Sequence, residues 1–269
     1  ENTPLEEEIA LDPELLGKVF ENLLASYNED TKTTARKALG AFYTPREIVA
    51  YMVDEALKSY LSTQVPKAKG VLDSLFANTA NPSDIKPDLR DALIAAIGHV
   101  KILDPACGSG HILTYAFDLL YAIYEEQGYD PASIPQLILE KNLFGIEIDK
   151  RAAMLSSFAL LMKALSRDKR FFRRRIRPNI LEMEDIRFEP AEIKAYLDKL
   201  GRDLYTQDLW EGLQQFENAK TFGSLIRPAI KDVPTLRERM RETRIFEDLL
   251  LSNTNDKLLK VLEMSEYLS

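Results

Sequence analysis

The residues best suited to chemistry lie between Val100 and Asp149. Asp104-Pro-Ala-Cys-Gly-Ser-Gly110 follows a short apolar run, Val100 to Leu103, and precedes a long one, Ile112 to Tyr124. The first run has strand character and stops at Asp104, because Pro105 cannot donate to a ladder. Cys107 to Gly110 is a loop of small residues, whose glycines permit close approaches that a Cβ forbids. Strand, glycine turn and helix start, in that order, present backbone N–H groups to an anion. This is the layout of a nucleotide-type site. It is not the dinucleotide fingerprint, which needs a third glycine where Leu113 stands. The next strand-like run, Asn142 to Ile148, carries its acid at Glu147, much further on than the roughly twenty residues of a dinucleotide-binding unit.

Cys107 at a helix start has the setting of an activated thiol. Only His111 stands near it in sequence as a base, so Cys107 reads as a small loop residue and His111 as a packing or hydrogen-bonding one. With two histidines and one cysteine, the chain offers little for a zinc site and no internal disulfide.

Length and composition frame the elements that must hold this loop. A chain of 269 residues makes one large domain or two small ones. No apolar run reaches membrane-span length, and the acidic start is unlike a signal peptide, so the expectation is a cytoplasmic protein without a membrane partner. The net charge of −8 is not the footprint of a freestanding nucleic-acid binder. The exception is the basic run Arg167 to Arg177. It reads first as a solvated helix end or loop, and second as a phosphate-facing surface.

Asp12-Pro13 caps a helix whose apolar residues, from Leu15 to Tyr27, recur at helical spacing. Asn28 to Lys37 reads as a loop. Thr44, Pro45 and Glu47 then form a capping box ahead of an amphipathic helix, Ile48 to Leu61. Lys67 to Gly98 is less regular, with a helix over Asp88 to Ile97. Ile112 to Tyr124 and Ala152 to Leu165 are apolar nearly all round, as crossover helices covered on both sides would be. Asn179 to Met183 is a third short strand, ending at Glu184-Asp185-Ile186. From Pro190 onward the pattern is helical, in segments near 190–200, 208–222, 236–251 and 256–268.

Asp104-Pro-Ala-Cys-Gly-Ser-Gly110 resembles the first motif of DNA N6-adenine methyltransferases, which bind S-adenosylmethionine (SAM). Gly145-Ile-Glu-Ile-Asp149 resembles their second, whose acid holds the ribose hydroxyls. Phe42-Tyr-Thr-Pro45 resembles the motif that precedes these in circularly ordered members and packs over the methionine end. Asp185 matches the acid after the third strand, which accepts from the adenine amino group of SAM. Together they are similar to the large PglX-like methyltransferases of phage-exclusion (BREX) systems, with type IIG and type I modification enzymes as relatives.

The resemblance implies an α/β fold: a partial, Rossmann-like SAM-methyltransferase parallel sheet flanked by helices. The divisions would be an N-terminal helical part (1–39), a cofactor-binding core (40–188) and a C-terminal helical insertion (189–269). The implied cofactor-binding residues are Tyr43, Thr44, Asp104, Ala106, Cys107, Gly108, Gly110, Glu147, Ile148, Asp185 and Ile186, with no metal. The implied partners are double-stranded DNA, through the full-length protein, and other defence-system subunits.

One expected motif is missing. An amino methyltransferase uses an Asn-Pro-Pro-Tyr-type tetrapeptide after its fourth strand, to accept from the target amino group and stack on the flipped base. No such tetrapeptide occurs in residues 1–269, and the sheet would stop at three strands with the first at an edge. The expectation is therefore the cofactor half of a longer enzyme, inactive alone. The alternative is a non-catalytic module that senses SAM, and an RNA or protein methyltransferase is less favoured.

Overall fold

A computed structural model of the chain describes residues 19, 27–28, 33–34, 44–77, 85–200, 204–242 and 251–269. It divides into two compact units, Glu1–Gly145 with Asp149–Ile180, and Ile146–Ile148 with Leu181–Ser269. Of the first expected helix only Val19 and Tyr27 are described, and Val19 is helical. Tyr27, expected on that helix, instead pairs with Thr34 in a two-residue antiparallel ladder of β1 (Tyr27–Asn28) with β2 (Thr33–Thr34).

In the first unit, α1 (Arg46–Gln64) buries Val49, Val53, Leu57 and Leu61. This is the stripe that helical spacing requires of a one-sided helix. α2 (Lys69–Phe76) follows, where the sequence reads as irregular, and α3 (Pro87–Gly98) starts with proline in its first turn. β3 (Ile102–Asp104) leads to α4 (His111–Glu126), which buries a broad face from Leu113 to Tyr124. A short helix, α5 (Ile134–Leu137), and a π-type turn (Ile138–Asn142) complete the crossover to β4 (Leu143–Glu147). α6 (Lys150–Arg167) then returns towards β5 (Asn179–Glu182).

The sheet is parallel with the order β3-β4-β5, so sequential strands are neighbours and α4 and α6 are crossover helices. β3 and β4 are in register Ile102↔Leu143, Leu103↔Phe144 and Asp104↔Gly145. The core beside it is built from Leu113, Phe117, Leu120, Ile138, Leu143 and Leu160. α6 differs from its expected all-round burial. Ala153, Ser156, Leu160 and Ala164 are buried, while Met154 and Phe158 are exposed.

Asn142 settles a polar problem in that core. It is fully buried, its Nδ2 donates to the Val100 carbonyl (2.8 Å), and its Oδ1 accepts from the Tyr124 hydroxyl (3.1 Å). A buried amide left unpaired would cost about 1–3 kcal/mol. Here it ties the approach to β3, the end of α4 and the start of β4.

The second unit is helical beyond the short strand ends it contains. α7 (Pro190–Leu200), α8 (Leu204–Gln215), α9 (Ala219–Phe222), α10 (Val233–Glu242) and α11 (Ser252–Leu268) carry it. They enclose Leu213, Phe216, Met240, Val261 and Leu262. Glu192 of α7 accepts from Lys257 of α11 (2.9 Å) and from the Glu189 backbone N–H (2.8 Å). Burial pushes the Glu192 carboxyl up, but these donors together with Thr254 outweigh it and hold the group below its ordinary range.

A carboxyl depressed in the folded state adds stability above its unfolded pKa, and that stability disappears as pH falls through the folded value. Glu192→Gln should therefore be less stable near pH 7, by on the order of 1 kcal/mol. In urea unfolding the gap to the parent should close as the solution is acidified below the ordinary Glu range. An equal gap at pH 7 and pH 3 would show that the carboxylate contributes nothing as a charge.

Candidate cofactor-binding site

The glycine loop hangs between the end of β3 and the start of α4. Asp104 is buried, and its Oδ1 accepts from the Ala106 backbone N–H (3.1 Å), which turns the chain at Pro105. The loop closes with Gly110 N–H donating to the Cys107 carbonyl (2.8 Å). Gly110 is the residue that starts α4, at φ 85°, and no side chain caps the helix. The N-terminal end of α4, with its partial positive charge, is thus left to the loop.

Gly110 is held there by more than its backbone angle. A Cβ on it would stand 2.5 Å from Ser156 Oγ and 3.0 Å from Ser156 Cα, so the loop rests directly on α6. Cys107 is buried, and its Sγ would be 3.0 Å from a Cβ at Gly145. It is a spacer between loop and sheet. Ala106 is exposed, and Gly108 has φ 53° with open space around it.

Thr44 is half-buried ahead of α1, but it does not cap that helix. The cap position is Pro45, extended at φ −55° and ψ 146°, whose carbonyl accepts from Ile48 and Val49 (both 3.0 Å). An extended proline at the cap moves Thr44 one residue too far out for its hydroxyl to reach the first turn. The expected capping box is therefore absent. Tyr43 lies outside the described residues.

Glu147 ends β4, two residues beyond the glycine that pairs with Asp104. Its side chain is buried, and its Oε1 accepts from the Ile148 N–H (2.9 Å), which fixes the carboxylate's orientation. Its own carbonyl accepts from Met183 N–H (2.8 Å). Ile148 is half-buried. In the same unit Asp185 is exposed and accepts from the Lys220 N–H (2.8 Å). Ile186 is buried, with its N–H on the Phe216 carbonyl (2.9 Å).

Several contributors were not legible from the motifs. Ser156 forms the floor under Gly110, yet nothing about a serine inside an apolar helix marks it. Asp149 caps α6 by accepting from Arg151 and Ala152 N–H groups. The Arg151 guanidinium, 2.7 Å away, holds the Asp149 carboxyl below the usual carboxylate range. An Asp one residue before a helical run was the signal for it. Asp54 of α1 accepts from the Tyr115 hydroxyl (3.4 Å), and burial holds its carboxyl above the usual range.

Among the described residues, β3 has a strand neighbour on one side only, β4. A groove of about 300 Å³ is lined by Met52, Ala56 and Tyr60 of α1 and by Ile102, Leu103 and Pro105. Leu103 is 52% exposed there. Among the described residues, no group of three or more His, Cys, Asp or Glu side chains could hold a metal ion. Nor is any helix long and apolar enough to cross a membrane.

The comparison with known proteins bears on the stretch that contains this loop. Residues 80–185 match the family described as MmeI, DNA-methyltransferase domain. The chain is 34% identical over 254 residues to the adenine-specific methyltransferase BrxX of Escherichia coli, covering 83% of this chain and 21% of that protein. It is 31% identical over 245 residues to the adenine-specific methyltransferase PglX of Lacticaseibacillus casei, covering 84% and 19%. A putative type II restriction enzyme and methyltransferase of Methanocaldococcus jannaschii, RM.MjaORFECS2P, is 29% identical over 172 residues, covering 57% and 14%. The chain spans about a fifth of the length of the first two relatives. The similarity extends well beyond the glycine loop.

The contact between Gly110 and Ser156 can be probed by substitution. Gly110→Ala meets both a left-handed backbone and the Ser156 backbone, and should cost about 1–3 kcal/mol in urea unfolding. Gly108→Ala meets open space and should cost only the conformational part, about 1 kcal/mol. Equal losses at the two positions would show that the loop does not rest on α6.

Proposed function

We propose that this chain is the SAM-binding part of a DNA adenine-N6 methyltransferase of a phage-defence or restriction-modification system. The observation that carries the reading is the Asp104–Gly110 loop, buried at its acid and ending on an uncapped helix start, within residues that match a DNA-methyltransferase family. The names of BrxX and PglX supply the adenine specificity.

The residues present suit SAM. Its methionine carboxylate is an anion of the kind a helix N-terminus accepts, and its ribose hydroxyls need an acceptor. In this reading Ala106, Cys107, Gly108 and Gly110 line the methionine end, with Asp104 setting the turn. The motif that Tyr43 and Thr44 belong to implies them as further contacts at that end. Glu147 accepts from the ribose hydroxyls, its carboxylate oriented by the Ile148 N–H. Asp185 accepts from the adenine amino group of the cofactor, with Ile148 and Ile186 as apolar contacts. SAM supplies an electrophilic methyl group on a sulfonium.

Methyl transfer itself would need acceptor and stacking groups for the flipped adenine, of the Asn-Pro-Pro-Tyr type, and these are not in residues 1–269. The strand that carries them would pair with β3 on the side away from β4, where no strand stands among the described residues. Double-stranded DNA would be bound by the full-length protein in the cytoplasm, beside other defence-system subunits. This chain alone would bind SAM and transfer no methyl group.

Calorimetric titration with SAM tests the reading. The parent should bind, and Glu147→Ala should bind at least tenfold more weakly, since a buried acceptor for two hydroxyls is lost. A folded parent that takes up no SAM would overturn the assignment.

A further inference from the structure

The segment between α6 and β5, Arg167 to Arg177, holds seven cations and one carboxylate in a chain of net charge −8. Composition alone describes a solvated loop. The structure adds three observations, all within the first unit.

The turn is fixed from inside. Phe171 is 1% exposed and anchors a 3₁₀ turn, Phe171–Arg174. Asp168 accepts from the Arg170 N–H (2.9 Å) and pairs with Arg174 (3.2 Å), which also donates to Gln136 (3.1 Å). Arg167 lies over the Tyr121 ring, 4.4 Å from its centroid, and pairs with Asp118.

That framework uses Arg167 and Arg174. Lys169, Arg170, Arg173, Arg175 and Arg177 are exposed, and none has a carboxylate partner among the described residues. Phe172 stands among them, 54% exposed. Arg175 adopts φ 54°, and it is the one non-glycine residue with positive φ among those described. Side chains disfavour that conformation, and glycine would adopt it without cost. An arginine kept there points to a use for its charge.

We propose that this turn is a contact for the phosphate backbone of duplex DNA, separate from the SAM-binding loop; it rests on the reading of DNA as the substrate. Guanidinium groups bind phosphate oxygens bidentately, and an array of four exposed arginines and one lysine matches the repeated phosphates of a backbone better than single carboxylates. A single exposed aromatic among them is too little apolar surface for a membrane and fits contact with sugars and bases. The separation follows from α6. Gly110 rests on Ser156, and the turn begins at Arg167, eleven residues or about 16 Å further along the helix.

The test is fluorescence anisotropy with a labelled duplex of arbitrary sequence, between 50 and 200 mM salt in round figures. It compares the parent with an Arg170→Gln, Arg173→Gln, Arg177→Gln triple variant and with Arg175→Gly alone. SAM titration accompanies each. The parent should bind with a steep salt dependence. The triple variant should lose about tenfold or more at low salt, with a log–log slope shallower by about 3. Arg175→Gly should weaken binding several-fold while its thermal midpoint holds or rises. SAM affinity should stay unchanged in both. A parent without affinity for the duplex, or variants that keep the parent's affinity and slope, overturn the proposal. A parent that binds DNA through the turn but no SAM leaves the turn standing and removes the cofactor reading instead.

Discussion

A glycine in the middle of β4 lets three other elements of the first unit close on the strand. An ideal Cβ on Gly145 would stand 2.7 Å from Ile180 Cδ1 and 3.0 Å from both Cys107 Sγ and Leu113 Cδ1. Three elements meet there: β5, the glycine loop and α4. Gly145 also pairs with Asp104, so the point that admits the loop fixes where β3 ends. Gly110 repeats the device at the far end of the loop, against Ser156 of α6. The loop is clamped at two places by atoms that are missing. Interiors pack too densely to absorb even a methyl group freely, so its shape follows from the sheet and the helix.

This explains why the thiol and the histidine of the loop need no chemical role. Cys107 is a buried spacer whose sulfur fills the space over Gly145. His111 is the first residue of α4 and half-buried. What the loop offers is geometry and the polarity of a helix start, which suits holding a charged small molecule. The second unit follows other rules. Its helices pack on Phe216, Met240 and Leu262, and polar ties such as Glu192 with Lys257 and Asp185 with the Lys220 N–H join distant parts of its chain.

Strand, glycine loop, crossover helix, strand, helix and strand were legible in the sequence because each has its own period and its own stop. Pro105 ended one strand, Gly110 opened a helix, and the acid at 147 closed the next strand. Interactions between elements were less visible. The capping box at Thr44 failed because Pro45 took the cap position in an extended conformation. α2 was missed because Lys69 to Phe76 offers two turns, too few for a periodic pattern to stand out. Asn142 and Ser156 look ordinary until Tyr124 of α4 meets the first and the Gly110 loop the second. The basic turn at Arg175 showed only its charge in the sequence; its positive φ and its buried anchor, Phe171, are properties of the fold.

Backbone hydrogen exchange with and without saturating SAM tests most directly whether the loop and the end of β4 hold the cofactor. The account predicts slowed exchange at the amides of residues 106–114 and 147–149, with the turn at 168–177 unchanged. Slowed exchange confined to other segments, with those two stretches unaffected, would contradict it.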